Sequence, residues 1–240
     1  MESLSCFETN IDFEIRFMTD HNLVGCAWVT LPSEKYLIVE GKDMISRCQF
    51  ECSINNTDLV IHSPESSPRW SSIAPLRILS FDIECTNRQG IFPEAHTDAV
   101  IQIANMVKIE GENEPFIRNC FVIGETAPVI GSEIIVSKSE EELLNVRKIL
   151  KKWAEFVRTV DPDLITGYNI QNFDFPYIVE RARALKACCF IESRATMLGR
   201  IPNSLSKVRE MPLSSKQMGN RTNKITNVEG RVVFDVIQVS

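Results

Sequence analysis

The stretch Leu76 to Cys85, L-R-I-L-S-F-D-I-E-C, alternates apolar and other residues with the period of a β-strand. In an extended chain, side chains two residues apart leave by the same face, roughly 6.5 Å apart. Asp82 and Glu84 therefore point one way, with Ser80 and Ile78 behind them, while Leu79, Phe81, Ile83 and Cys85 line the other face. Such a strand must be covered on its apolar side, which commits the chain to a packed sheet. The two acids admit two accounts. The second face of the strand is simply wet, or the carboxylates are held for a divalent cation, because a buried anion is costly without compensation. The strand taken alone fits the first account, and the second needs support from elsewhere in the chain.

The remainder of the chain supplies material for one good-sized domain with a small companion, being 240 residues long, 44% hydrophobic and 24% charged. A net charge of -6 argues against a general affinity for nucleic acid but leaves room for a local basic face. No apolar run is long enough to span a bilayer, and the amino end lacks a signal-peptide pattern, so an intracellular protein with no membrane contact is expected. The 8 cysteines form no C-x-x-C pair, and the 3 histidines add no zinc-type spacing. Reduced, mostly buried thiols are the expectation.

From Met1 to about His62 short strands are predicted at Phe13 to Met18, Gly25 to Leu31, Tyr36 to Glu40, Arg47 to Ile54 and Leu59 to Ile61, punctuated by turn residues. This reads as a small β-rich module without a catalytic constellation, whose natural beginning is expected to lie before Met1. The segment S-P-E-S-S-P-R-W-S-S, Ser63 to Ser72, reads as a surface connection. The expected boundary follows it, giving 1–72 as part of an amino-terminal β-rich domain with its linker and 73–240 as the second domain.

In the second domain the opening strand leads through a loop, Thr86 to Asp98, to strands at Val100 to Ile109 and Phe116 to Ile123, the last two joined tightly enough to be antiparallel. A helix is predicted from Ser139, where Glu142 completes a capping box, with Leu143, Val146, Leu150, Trp153, Val157 and Val160 forming one apolar face. Asp161-Pro162 ends it, and Leu164 to Tyr168 returns to the sheet as a short strand. Three strands, a helix and a strand make an α/β order.

The next stretch, G-Y-N-I-Q-N-F-D-F-P-Y from Gly167 to Tyr177, runs into a helix bearing Ile178, Ala182 and Leu185 on one face. Pro176 suits its first turn and puts Asp174 at or just before the amino end. Asp174 then serves either as a helix cap or as a ligand-binding acid at the carboxyl end of the sheet, where open α/β folds bind ligands. Between Arg194 and Arg231 the charges are mostly basic, comprising Arg194, Arg200, Lys207, Arg209, Lys216, Arg221, Lys224 and Arg231 against Glu210 and Glu229. This basic excess marks either a solvated loop or a contact with phosphates. Met218 to Arg221 fits the tip of a hairpin.

F-D-I-E-C followed by G-Y-N-I-Q-N-F-D-F-P-Y closely resembles the first and second exonuclease motifs of family B DNA polymerases, its eukaryotic replicative members more than its archaeal ones. The likeness extends to I-A-P-L-R-I-L-S before the first motif, R-Q-G-I-F-P-E (Arg88 to Glu94), D-P-D-L-I-T (Asp161 to Thr166) and S-K-Q-M-G-N-R (Ser215 to Arg221). The resemblance implies an α/β, ribonuclease-H-like (DnaQ-type) exonuclease domain with a mixed sheet, incomplete at its carboxyl end and preceded by the β-rich module. It also implies that Asp82, Glu84 and Asp174 are catalytic metal ligands for two Mg2+ or Mn2+ ions. Asn169 and Phe173 would hold a single-stranded 3′ end, and Arg221 and Lys224 would contact DNA near a strand-parting hairpin.

The family's fourth carboxylate lies in a Y-x-x-x-D motif, which this chain lacks after Asp174, while Asp235 in G-R-V-V-F-D-V-I-Q is read as a strand residue preceding that motif. The expected parent is therefore a nuclear DNA polymerase with proofreading, acting on primer-template DNA with accessory polymerase subunits and a sliding clamp. A 4Fe-4S cluster is expected only in parts outside these residues. The segment by itself is expected to be nearly inactive. The alternative is a non-catalytic isoform that binds DNA or partner subunits.

Overall fold

A computed structural model describes residues 11–138, 142–185, 196–215 and 219–238. The chain divides into two compact units, residues 1–44 with 49–73, and residues 45–48 with 74–240.

In the first unit the strand expected at Phe13 to Met18 is instead a helix, α1 (Phe13–Asp20). Its side chains satisfy one another at four-residue spacing, not across a sheet. Arg16 meets Asp20 at 2.8 Å, the Thr19 hydroxyl donates to the Ile15 carbonyl at 2.8 Å, and the Phe17 ring stacks on His21 at 4.3 Å. The strands are three residues each, and single turns at Gly41–Asp43 and Asn56–Asp58 fall between the predicted runs. Strands β1 (Trp28–Thr30) and β4 (Val60–His62) pair antiparallel, as do β2 (Tyr36–Ile38) and β3 (Cys52–Ile54). A 3₁₀ turn at Pro64–Ser66 and a short helix α2 (Pro68–Ser71) follow. Each begins at a serine whose hydroxyl accepts an amide two residues on, with proline at the first helical position.

The second unit is built on a sheet of order β12-β9-β5-β6-β7-β8. Strands β5 (Arg77–Cys85), β6 (Val100–Ile109) and β7 (Ile117–Ile123) form an antiparallel meander. Strand β8 (Glu133–Ser137), absent from the sequence expectation, adds parallel to β7 at the sheet edge. Helix α3 (Glu142–Val160) then leads to β9 (Leu164–Gly167), which lies parallel to β5. After α4 (Asp174–Ala184), strands β10 (Lys207–Ser215) and β11 (Gly219–Asn227) make a hairpin in which Gly219 to Arg221, expected at its tip, are instead paired strand residues, and β12 (Val232–Asp235) closes beside β9. Residues 216–218 of the hairpin, Arg194, and the Ser139–Glu142 capping box fall outside the described residues and side chains.

Helix α3 forms because its apolar residues recur at three- and four-residue spacing, and Val146, Leu150, Trp153 and Val157 are all buried. They join Leu79, Phe81 and Ile83 of β5 in one core, where the Phe81 ring lies 5.0 Å from both Trp153 and Phe175. Each such side chain stabilises the fold by about 1.5–3 kcal/mol relative to exposure. The polar groups enclosed beside Trp153 bond to one another. Trp153 Nε1 donates to Asn105 Oδ1 at 2.9 Å, and Asn105 Nδ2 donates to Asn119 Oδ1 at 3.0 Å.

Two of the basic residues counted as available to phosphates are not free. Arg200 meets Asp161 at 2.9 Å and Asp163 at 2.7 Å, and Arg231 meets Asp161 at 2.7 Å. Burial alone would raise the Asp161 carboxyl, but bonds from Arg200 and Arg231 hold it below its ordinary value. This knot fixes the turn between α3 and β9, where Asp163 also accepts the Arg77 amide of β5 at 2.8 Å.

Gly167 ends β9 at a point with no room for a side chain. A Cβ there would lie 2.4 Å from Ile170 Cγ2 and 2.6 Å from the Phe81 carbonyl oxygen. Gly167→Ala should therefore cost about 2–3 kcal/mol in urea unfolding, the scale of overpacking a filled core. An unchanged midpoint would show that this junction yields freely.

Candidate active site

The exposed face of β5 carries Ser80, Asp82 and Glu84. Glu84 pairs with Gln102 but Cys85 with Val100, so the register slips between them. Such a slip bends the strand and re-aims its side chains. Asp82 and Glu84 thus stand exposed at the carboxyl end of the central strand.

Asp174 approaches from the other side. Strand β9 pairs with β5 only as far as Ser80 opposite Thr166, so amides further along that edge need another acceptor. Asp174 is that acceptor for Ile83, whose N–H donates to its Oδ1 at 3.0 Å. Because Ile83 lies between Asp82 and Glu84, the bond brings the third acid to the pair. The capping account of Asp174 gives way here, since Phe173 occupies the cap position and Asp174 is the first helical residue. Asp174 is 1% exposed. Burial, and next the charge of Asp82, push its carboxyl up to about 7. Cys85, beside the pair, is pushed to about 12 chiefly by burial and stays a neutral thiol.

The loop from Tyr168 to Phe173 is shaped by residues whose part sequence reasoning missed. Asn169 takes the left-handed conformation at φ 61°, which asparagine tolerates better than most residues. Its amide and that of Gln171 donate to the two carboxylate oxygens of Asp235 at 2.8 and 2.9 Å, and the Ile237 amide donates at 3.2 Å. Asp235 is buried and spends its oxygens on backbone amides. Gln171 Oε1 accepts the Thr226 amide at 2.7 Å and Asn172 Oδ1 the Lys224 amide at 2.9 Å, so the loop holds β11. The available signal was a run of amide side chains in a loop leaving a buried strand.

Beside the acids lies a groove of about 420 Å³, lined by Phe92, His96, Phe173, Tyr177, Glu180 and Lys224 among others. The Phe173 ring is 5.4 Å from both Phe92 and Tyr177. Phe92 is 74% exposed. Its loop is nonetheless tied down, because Arg88 meets Glu94 at 2.5 Å and Asp98 at 3.2 Å, while Arg181 Nη1 donates to the Ala95 and His96 carbonyls at 3.2 and 3.0 Å. Of the residues expected at the site, Asp82, Glu84 and Asp174 share one end of the sheet, and Phe173 and Lys224 line the groove. Asn169 belongs to the loop's internal bonding. Arg221 sits on β11 opposite Leu213.

Among the described residues, no three His, Cys, Asp or Glu groups already converge as a metal site. The donor set itself suits a hard divalent cation, being carboxylate oxygens without a thiolate or imidazole among them. A carboxyl raised by burial and by a neighbouring acid is also one that a cation would return to its charged form.

A mixed sheet with two acids at the end of its central strand and a third on the helix after the next parallel strand defines a ribonuclease-H-like exonuclease domain. Residues 4–240 match the family profile described as DNA polymerase family B, exonuclease domain, and the chain belongs to that family. It is similar to DNA polymerase delta catalytic subunits. The identity is 50% over 233 residues with that of Caenorhabditis elegans, covering 97% of this chain and 20% of the relative. With the Drosophila melanogaster subunit it is 51% over 236 residues, again 97% and 20%, and with that of Bos taurus 44% over 238 residues, 99% and 20%. The chain thus spans about a fifth of the length of these relatives. Its fold is similar to the structure of the family B DNA polymerase from the hyperthermophilic archaeon Pyrobaculum calidifontis, with a TM-score of 0.53 and 24% identity over 97% of this chain and 23% of that one.

The raised Asp174 carboxyl fixes the sign of a pH effect. Between the ordinary aspartate value of 3.8 and about 7 the folded chain holds a proton that the unfolded chain has lost. Stability must therefore fall as pH rises through that interval in metal-free solution. Asp174→Asn keeps an oxygen for the Ile83 amide and removes the charge. Across pH 4 to 7.5 the parent should lose up to about 4 kcal/mol relative to this variant in urea unfolding. Parallel stability curves would show that Asp174 titrates normally.

Proposed function

We propose that the chain carries the 3′–5′ proofreading exonuclease site of a replicative DNA polymerase, hydrolysing the terminal phosphodiester of a single-stranded 3′ end. The observation that supports this reading is the bond to buried Asp174 from the amide of Ile83, the residue between Asp82 and Glu84, with Phe173, next to Asp174 in sequence, lining an aromatic groove.

In this reading Asp82, Glu84 and Asp174 hold two Mg2+ or Mn2+ ions. Ions so bound lower the pKa of an attacking water and stabilise the leaving oxygen in an in-line displacement. The chain's own residues supply the substrate's position. Phe92 and Phe173 offer ring faces and edges on which unpaired bases stack, a contact worth about 1–3 kcal/mol per base and available only to unstacked strands. Lys224, on the groove wall, takes a phosphate, and Arg221, on β11 with its side chain outside those described, is a further DNA contact in this proposal. Asn169 holds the 3′ end in this proposal, from a loop that its own backbone amide, bonded to Asp235, helps to shape.

The parent protein, by this proposal, synthesises DNA on a primer-template in the nucleus. Its accessory polymerase subunits, sliding clamp and 4Fe-4S cluster engage parts other than the residues described above.

The test uses the full-length protein and a primer with a mispaired 3′ end. In Mg2+ it should release 3′-terminal mononucleotides. Asp82→Ala and Asp174→Ala should each lower that release by more than the roughly hundredfold that loss of an outer-shell metal partner costs, with primer extension retained. Undiminished release from both variants would place the chemistry elsewhere.

A further inference from the structure

The wall of the groove carries a cation and an anion that already face each other. Lys224 Nζ lies 3.6 Å from Glu180 Oε1, with the two side chains 32% and 37% exposed. Lys224 is not a wandering surface lysine, because its backbone amide is fixed to Asn172 Oδ1 at 2.9 Å, and Asn172 lines the same groove. Glu180 is equally placed, on α4, whose first residue is Asp174 and whose Tyr177 and Arg181 hold the loop of Phe92. The other acid lining the groove, Glu94, is paired with Arg88 at 2.5 Å. Glu180 is thus the described groove acid whose partner is the groove's own lysine.

A strand entering this groove brings phosphates, which compete for Lys224. We infer that Glu180 tunes the affinity of the groove, an internal competitor that occupies Lys224 until a phosphodiester displaces it and so weakens the groove's hold on DNA. This rests on the assignment of the groove to a single-stranded 3′ end. The physical basis is exchange. A phosphate gains the lysine only by releasing a carboxylate that must then be hydrated alone, so the net gain is smaller than for an unpaired lysine.

The experiment is binding of an oligothymidylate to the full-length protein in EDTA at low salt, for the parent, Glu180→Gln, Lys224→Gln and the double variant. Glu180→Gln should tighten binding about three- to fivefold, the scale of one exposed ion pair. Lys224→Gln should weaken binding, and in its background Glu180→Gln should change little. Equal tightening in both backgrounds would overturn the inference, since Glu180 would then be repelling phosphates directly. No tightening in either would overturn it as well. Failure of the parent to bind the oligonucleotide at all would overturn the assignment of the groove itself, and the inference with it.

Discussion

The site depends on one hydrogen bond, from the Ile83 amide of the central strand to the carboxylate of Asp174 on α4. It satisfies a strand amide that the neighbouring strand has left behind, and in doing so it draws a helix terminus and its acid onto the end of β5. A hydrogen bond to a charged group contributes about 1.5–3 kcal/mol. Here desolvation and the Asp82 charge outweigh it, since the carboxyl is pushed up to about 7 and not down. The site is thus held in a form that is unfavourable without a cation. Strain of this kind, placed at a functional centre and supported by the surrounding packing, is common in enzymes.

What supports it is a loop whose three amide side chains, Asn169, Gln171 and Asn172, all make hydrogen bonds. Asp235 on β12 binds the amides of Asn169 and Gln171, while Gln171 and Asn172 in turn bind amides of β11. Two elements distant in sequence, β11 and β12, are thereby locked to the five residues that precede Asp174. Gly167 permits the arrangement by letting the loop pass against the Phe81 carbonyl. The groove-lining hairpin and the acid share one set of anchors, so the position of Lys224 is tied to that of Asp174.

Much of this was legible in the residues. The alternation of β5 and the 3.6-residue stripe of α3 are strong because burial enforces them, and both run through the core. The stretch F-E-I-R-F-M alternates just as strictly and yet is a helix. No described residue of its unit is buried, so no sheet core rewards the alternation, and contacts at four-residue spacing decide. Strand β8 escaped notice because a five-residue edge strand carries too little pattern to separate it from a loop. The three acids of the proposed site are named by their motifs, and the bond from Ile83 to Asp174 is what the structure adds. The partners of Arg200 and Arg231 could not be read from the sequence, because Asp161 is a neighbour only after folding. Nor could the part played by Asp235, an acid that looks in sequence like any other at the end of a strand.

By the proposal above, Asp82, Glu84 and Asp174 form a cradle for cations. Anomalous diffraction from crystals of the full-length protein soaked in Mn2+ with a short oligothymidylate tests it most directly. The account predicts two peaks about 3.5–4 Å apart, with at least one about 2.1 Å from carboxylate oxygens of Asp82 and Asp174. Peaks elsewhere, with the end of β5 unoccupied at saturating Mn2+, would contradict it.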